Sequence, residues 1–74
     1  MTKLFSKAIK VFESNYKNQG LEMRSIFLMD WRGKNEGNFK IECNLVALNK
    51  YYSVMVYVNE KDKKYKVSEL IEEK

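Results

Sequence analysis

Two runs of residues, 39–48 and 51–59, constrain this chain more than any other feature in it. Both are rich in β-branched and aromatic types, and only Asn49 and Lys50 separate them. Such runs read as paired β-strands, and Asn49 can take the positive φ of a two-residue hairpin turn. A turn at Asn49-Lys50 sets a register that side-chain chemistry can check. It places Ala47 opposite Tyr52, Leu45 opposite Val54, Cys43 opposite Val56 and Ile41 opposite Val58. Every pair is apolar, and a slip of one residue would turn them all to the other face.

Residues 21–31 read as a strand joined to the first of these runs through Arg32-Gly33-Lys34-Asn35-Glu36-Gly37-Asn38. Several registers can close a loop of this length. Setting Trp31 opposite Phe39 brings Met29 to Ile41, Phe27 to Cys43 and Met23 to Ala47, so that only Ser25 interrupts the apolar face. Residues 3–17 form an amphipathic helix. Lys3, Lys7, Lys10, Ser14 and Lys17 share one side, and Leu4, Phe5, Ala8, Ile9, Val11, Phe12 and Tyr16 fill the other. Thr2 is its expected N-cap, and Asn18-Gln19-Gly20 its stop. Val67 to Lys74 reads as a short second helix, capped by Ser68, with Glu69 in its first turn and Val67, Leu70 and Ile71 to dock it.

The expected fold is therefore α+β. It is a single α-β-β-β-α domain over residues 1–74, with a three-stranded antiparallel sheet in the order 1-2-3 and the N-terminal helix packed on one face. A length of 74 residues holds one domain. Cys43 falls on the inward face of the central strand and reads as a small core hydrophobe.

Composition excludes much chemistry. The chain has no His and one Cys, so it holds no Ser-His or Cys-His pair, no disulfide framework and no donor set for zinc. Gly33 and Gly37 lack the spacing of a phosphate loop. Asp30, Glu42 and Glu60 show no spacing for paired acid–base work. Asp30 and Lys40 are expected cross-strand neighbours, a surface ion pair of little energetic weight. No catalytic residue, cofactor or metal site is expected, so the reading is non-enzymatic. No apolar run approaches the ~18 residues of a membrane span, and the N-terminal segment is amphipathic, unlike a signal peptide. The expected setting is cytoplasmic, with no membrane partner.

Two surfaces remain as candidates. By the registers above, the outer sheet face carries Arg24, Asp30, Lys40, Glu42, Asn44 and Ser53, but also Val46, Leu48, Ile26, Leu28, Tyr51, Met55 and Tyr57. A solvated face alternates to polar residues. This one keeps an apolar patch of the kind that marks an interface. Ile26, Leu28, Tyr51, Met55 and Tyr57 are its expected anchors for a protein partner, unless the last helix covers them. Two unprotected edge strands also suit a homodimer or strand addition.

The second candidate is basic. Net charge is +4, carried by 14 Lys and Arg against 10 Asp and Glu. Lys3, Lys7, Lys10 and Lys17 line the helix, Arg32 and Lys34 lie in the first loop, and Lys61, Lys63, Lys64 and Lys66 follow the third strand. If these clusters share a side they suit a polyanion, making nucleic acid the alternative partner. Only Arg24 and Arg32 supply the planar guanidinium favoured for reading bases.

The element order α-β-β-β-α, over the whole chain, resembles the double-stranded RNA-binding domain. That resemblance implies RNA contact through the first-helix lysines and the Arg32–Asn38 loop. The acidic last segment, Ser68-Glu69 through Glu72-Glu73, departs from the Lys-rich second helix of that family. In size, and in a Lys-, Asn- and Tyr-rich composition typical of AT-rich genomes, the chain also resembles small phage-encoded inhibitors, anti-CRISPR proteins among them. That likeness implies a protein that binds and blocks a host or defence complex.

Overall fold

The structure, a computed structural model, describes residues 2–73. Helix α1 (Thr2–Tyr16) leads through a 3-10 turn, Lys17–Gln19, into β1 (Leu21–Trp31). Strand β2 (Glu36–Leu45), a second 3-10 turn (Val46–Leu48), β3 (Lys50–Asn59), β4 (Lys64–Val67) and β5 (Ile71–Glu73) complete the chain. All strand pairs are antiparallel. The sheet runs β1-β2-β3-β4, and β5 joins the same edge of β3 further along. This is a small α+β fold with one N-terminal helix on an antiparallel sheet. Thr2, the expected N-cap, is the first residue of the helix, and its side chain and that of Lys17 lie outside the described part of the structure.

The helix forms because its apolar residues recur at the period of one face. Leu4, Ala8, Val11 and Phe12 are all buried. They press onto β2, β3 and β4. Gly20, at φ 74, stops the helical segment in the left-handed conformation that suits glycine. Below the helix, alternation along the two central strands turns Phe39, Ile41 and Cys43 of β2 and Val54, Val56 and Val58 of β3 inward, each 0 % exposed. The Phe5 ring meets Phe39 edge-on, with centroids 5.0 Å apart.

The strand faces of the central hairpin are as expected, but its register is not. Ile41 lies opposite Val54, Cys43 opposite Tyr52 and Leu45 opposite Lys50. The chain does not turn in two residues. Val46–Leu48 wind into a 3-10 turn, and Asn49, at φ 53, closes it by donating its N–H to the Val46 carbonyl at 3.2 Å. The partners therefore shift by four positions from those of a tight turn. An even shift preserves the face of every side chain, which is why the inward set survives the error. Val46 and Leu48 leave the sheet face and sit exposed on the turn.

Strand β1 departs further. Two bulges, between Met23 and Ser25 and between Leu28 and Asp30, change its phase. Ile26 pairs with Ile41 and Leu28 with Phe39, so both turn inward and pack against the core. Phe27, paired with Lys40, turns outward, and Met29 and Trp31 are exposed.

The last segment is not a helix, and the expected α-β-β-β-α order with three strands gives way, among the described residues, to one α-helix and five strands. Strand β3 has ten residues and would otherwise present a full edge of unpaired N–H and C=O groups. Residues 64–67 and 71–73 pair with its two halves. Ser68 bridges the gap between them. Its N–H donates to the Met55 carbonyl at 2.9 Å, and its Oγ accepts the Met55 N–H at 2.9 Å. A residue read as a helix cap thus mends a break in the edge. Ser68→Ala is expected to cost about 1 kcal/mol and to speed hydrogen exchange at the Met55 amide, as denaturant titration and exchange NMR would read.

Candidate functional site: an open sheet face and a lysine groove

The helix covers one side of the sheet, and among the described residues no element packs on the other. Across that open face, cross-strand rows follow from the registers. Phe27, Lys40 and Met55 form one row, and Ser25, Glu42, Ser53 and Ile71 the next. Asn44, Tyr51 and Glu73 form a third, and Asp30, Asn38, Tyr57 and Lys66 a fourth. Phe27 is 47 % exposed, Ile71 55 %, Tyr51 42 % and Met55 36 %. Large side chains left this open form an apolar band interleaved with charge.

Polar contacts hold the band's neighbours in place. The Arg24 guanidinium lies over the Tyr51 ring, 4.7 Å from its centroid. Lys40 Nζ is 3.7 Å from Glu73 Oε1, and Ser25 Oγ donates to Glu42 Oε1 at 2.8 Å. Asp30 pairs with Arg32 at 3.3 Å, which corrects the expected Asp30–Lys40 pair. Tyr57 donates its hydroxyl to Glu36 Oε2 and accepts from Asn59 Nδ2 at 3.3 Å. The hydrogen bond to Glu36 pushes the Tyr57 phenol above its usual pKa.

The expected partner anchors therefore divide. Tyr51, Met55 and Tyr57 lie on the open face. Ile26 and Leu28 do not, because the β1 bulges turn them to the core. The structure adds Phe27 and Ile71. Phe27 is of an interface residue type, but the alternation pattern puts it on the inner face, and Ile71 falls in the segment whose spacing suits a helix. Cys43 is buried as expected, and burial raises its thiol pKa.

The basic residues also divide. Lys61 and Lys63 lie in the four-residue turn between β3 and β4, while Lys64 and Lys66 belong to β4. Lys64 and Lys66, paired with Asn59 and Tyr57, lie on the open-face side. On the helix side, Lys3, Lys34 and Lys63 line a groove of about 460 Å³ with Leu4, Asn35 and Glu60. Lys3, Lys7 and Lys10 line its continuation, again beside Glu60. The Glu60 N–H donates to the Asn35 carbonyl at 2.7 Å, tying the two hairpin turns together at this end.

Glu60 is the anion at the centre of these lysines. Tyr65 donates its hydroxyl to Glu60 Oε1 at 2.6 Å, and Lys63 Nζ lies 3.4 Å from Oε2. The Tyr65 hydrogen bond, followed by the charges of Lys63 and Lys7, holds the Glu60 carboxyl below its ordinary pKa. Lys7 Nζ in turn sits over the Tyr65 ring, 4.8 Å from its centroid. Tyr65→Phe should raise the Glu60 pKa toward its ordinary value, measurable by carboxyl NMR titration. Because the folded pKa is depressed, Glu60 stabilises the fold above its unfolded-state pKa. That contribution is lost as pH falls through the folded value. The stability difference between parent and variant should therefore close in acid.

No helix of the described residues is long and apolar enough to cross a membrane. Comparison with family models, with curated proteins and with solved structures finds no match to this chain.

Proposed function

We propose that this chain is a non-enzymatic protein-interaction module and that its binding surface is the open outer face of the sheet. One observation carries the reading: Phe27, Tyr51, Met55 and Ile71 are large side chains that remain substantially exposed on a face which nothing in the described chain covers. Aromatic residues, Met and Arg are the types enriched where proteins bury their contacts, and Arg24 on Tyr51 fits that pattern. A phage- or mobile-element-type inhibitor, anti-CRISPR-like, that occupies a surface of a host or defence complex is the form of such a module that chain size and composition suggest.

Nucleic acid is the second reading, favoured by the meeting of Lys3, Lys34 and Lys63 in one groove. It is the weaker of the two. Glu60 sits in the middle of that groove, and Lys7 is engaged with the Tyr65 ring. Lys64 and Lys66 belong to the opposite side of the sheet, so a polyanion in the groove would not gather all the clusters. Capture of partners from a bacterial lysate, with and without nuclease, separates the readings. A protein retained after nuclease treatment supports the first, and loss of all partners on nuclease treatment supports the second.

A further inference from the structure

Strand β1 is the longest strand of the sheet, with eleven residues, and its outer edge is unpaired among the described residues. A long open edge is a template for another strand. The sequence of this edge is unusual in reading as its own complement. A two-fold axis through Phe27, with the strands antiparallel, would pair Arg24 of one copy with Asp30 of the other. It would also set Glu22 against Arg32 and Met23 against Trp31, and bring the two Phe27 rings together. Each pair other than Phe27 occurs twice by symmetry.

The faces agree as well as the charges. Arg24 lies on the open side, over Tyr51, and Asp30 is on the open side through its row with Asn38 and Tyr57. Met23 and Trp31 share rows with the inward Cys43 and Val58, yet both are exposed beyond the helix. Ile26 and Leu28 both turn inward on either side of Phe27. The two bulges leave Arg24 and Met29 without a partner on β2, and the rotation brings the two irregular stretches, Arg24–Ser25 and Met29–Asp30, opposite each other. Moving the axis by one residue, to Ile26, would set Glu22 against Asp30, a like-charge pair. Moving it to Leu28 would set Arg24 against Arg32.

We propose that a second copy of this chain docks on β1 in antiparallel register about Phe27, giving a two-fold dimer with one continuous sheet. The interface is isologous, as two-fold dimers require. It leaves Tyr51 and Met55 free, so the open faces of the two copies join into one wider surface. The dimer does not depend on the proposed protein-binding function, and either can fail without the other.

A charge swap tests the register. Sedimentation equilibrium of the full chain should show a reversible monomer–dimer equilibrium. Arg24→Glu sets two Glu–Asp pairs across the axis, and Asp30→Arg sets two Arg–Arg pairs. Each should weaken the dimer by roughly 10-fold or more. Arg24→Glu combined with Asp30→Arg should restore it, because opposite charges again face each other. Both residues are exposed, and circular dichroism melts would check that each variant folds. A parent that stays monomeric at millimolar concentration would overturn the proposal. So would a dimer indifferent to either reversal, or a double variant no tighter than the single ones.

Discussion

Phe39→Ala is expected to lower the unfolding free energy by about 3–5 kcal/mol, while Phe27→Ala should cost well under about 1 kcal/mol. The two residues are chemically identical, and the sequence pattern assigns both to the inner face. The sheet separates them. Phe39 is 0 % exposed, under the edge of the Phe5 ring and between Leu28 and Val56 on the neighbouring strands. Removing it leaves a cavity that its neighbours cannot fill without moving. Phe27 stands on the open face with much of its ring in solvent. For a small domain whose total stability is of order 5–10 kcal/mol, loss of Phe39 should leave a protein near its unfolding threshold. Urea titration of the two variants at one protein concentration, below that at which copies associate, measures the contrast. Equal losses would show that Phe27 is buried in the core as Phe39 is, and not open to solvent.

Tyr51→Ala is expected to weaken the captured protein partner by roughly 30-fold or more, the effect of losing a buried anchor worth about 2 kcal/mol. Met55→Asp should do at least as much, because it adds a charge that must be desolvated on docking. Neither should change the melting temperature much, since both side chains lie on the open face. Ile26→Ala and Leu28→Ala should behave in the opposite sense. They pack against the core, so they should reduce stability and leave the affinity of the folded protein intact. Titration calorimetry beside thermal melts separates the two groups. Partner binding lost in Ile26→Ala but retained in Tyr51→Ala would place the contact on the other side of the sheet.

The parts of this fold that are legible in the sequence are those fixed by periodicity. The helix follows from the spacing of Leu4, Ala8, Val11 and Phe12. The inward faces of β2 and β3 follow from strict alternation through Phe39, Ile41 and Cys43 and through Val54, Val56 and Val58. What periodicity cannot convey is where its phase breaks. In β1, large side chains stand at nearly every position from Ile26 to Trp31, so either phase supplies an apolar face, and only pairing with β2 selects one. The 3-10 turn at Val46–Leu48 is similarly hidden, because Val, Ala and Leu suit a strand equally well. The last segment shows long-range demand prevailing over local pattern. Val67, Leu70 and Ile71 have helical spacing, but the open edge of β3 offers backbone partners that a short helix cannot supply. Three of the five expected anchors are legible for the same reason. Tyr51, Met55 and Tyr57 keep their phase on a regular strand, whereas Ile26 and Leu28 lie between two bulges.

The most direct test of the open face as the functional surface compares two variants against the same partner captured from a lysate. One carries Tyr51→Ala with Met55→Asp, and the other carries Lys3→Glu with Lys63→Glu. Surface plasmon resonance at two salt concentrations should show the first variant losing binding through a faster off-rate. The second should retain affinity within a few-fold, with changes confined to on-rate and salt dependence. Full binding by the open-face variant, alongside complete loss in the lysine variant, would contradict this and move the functional surface to the groove around Glu60.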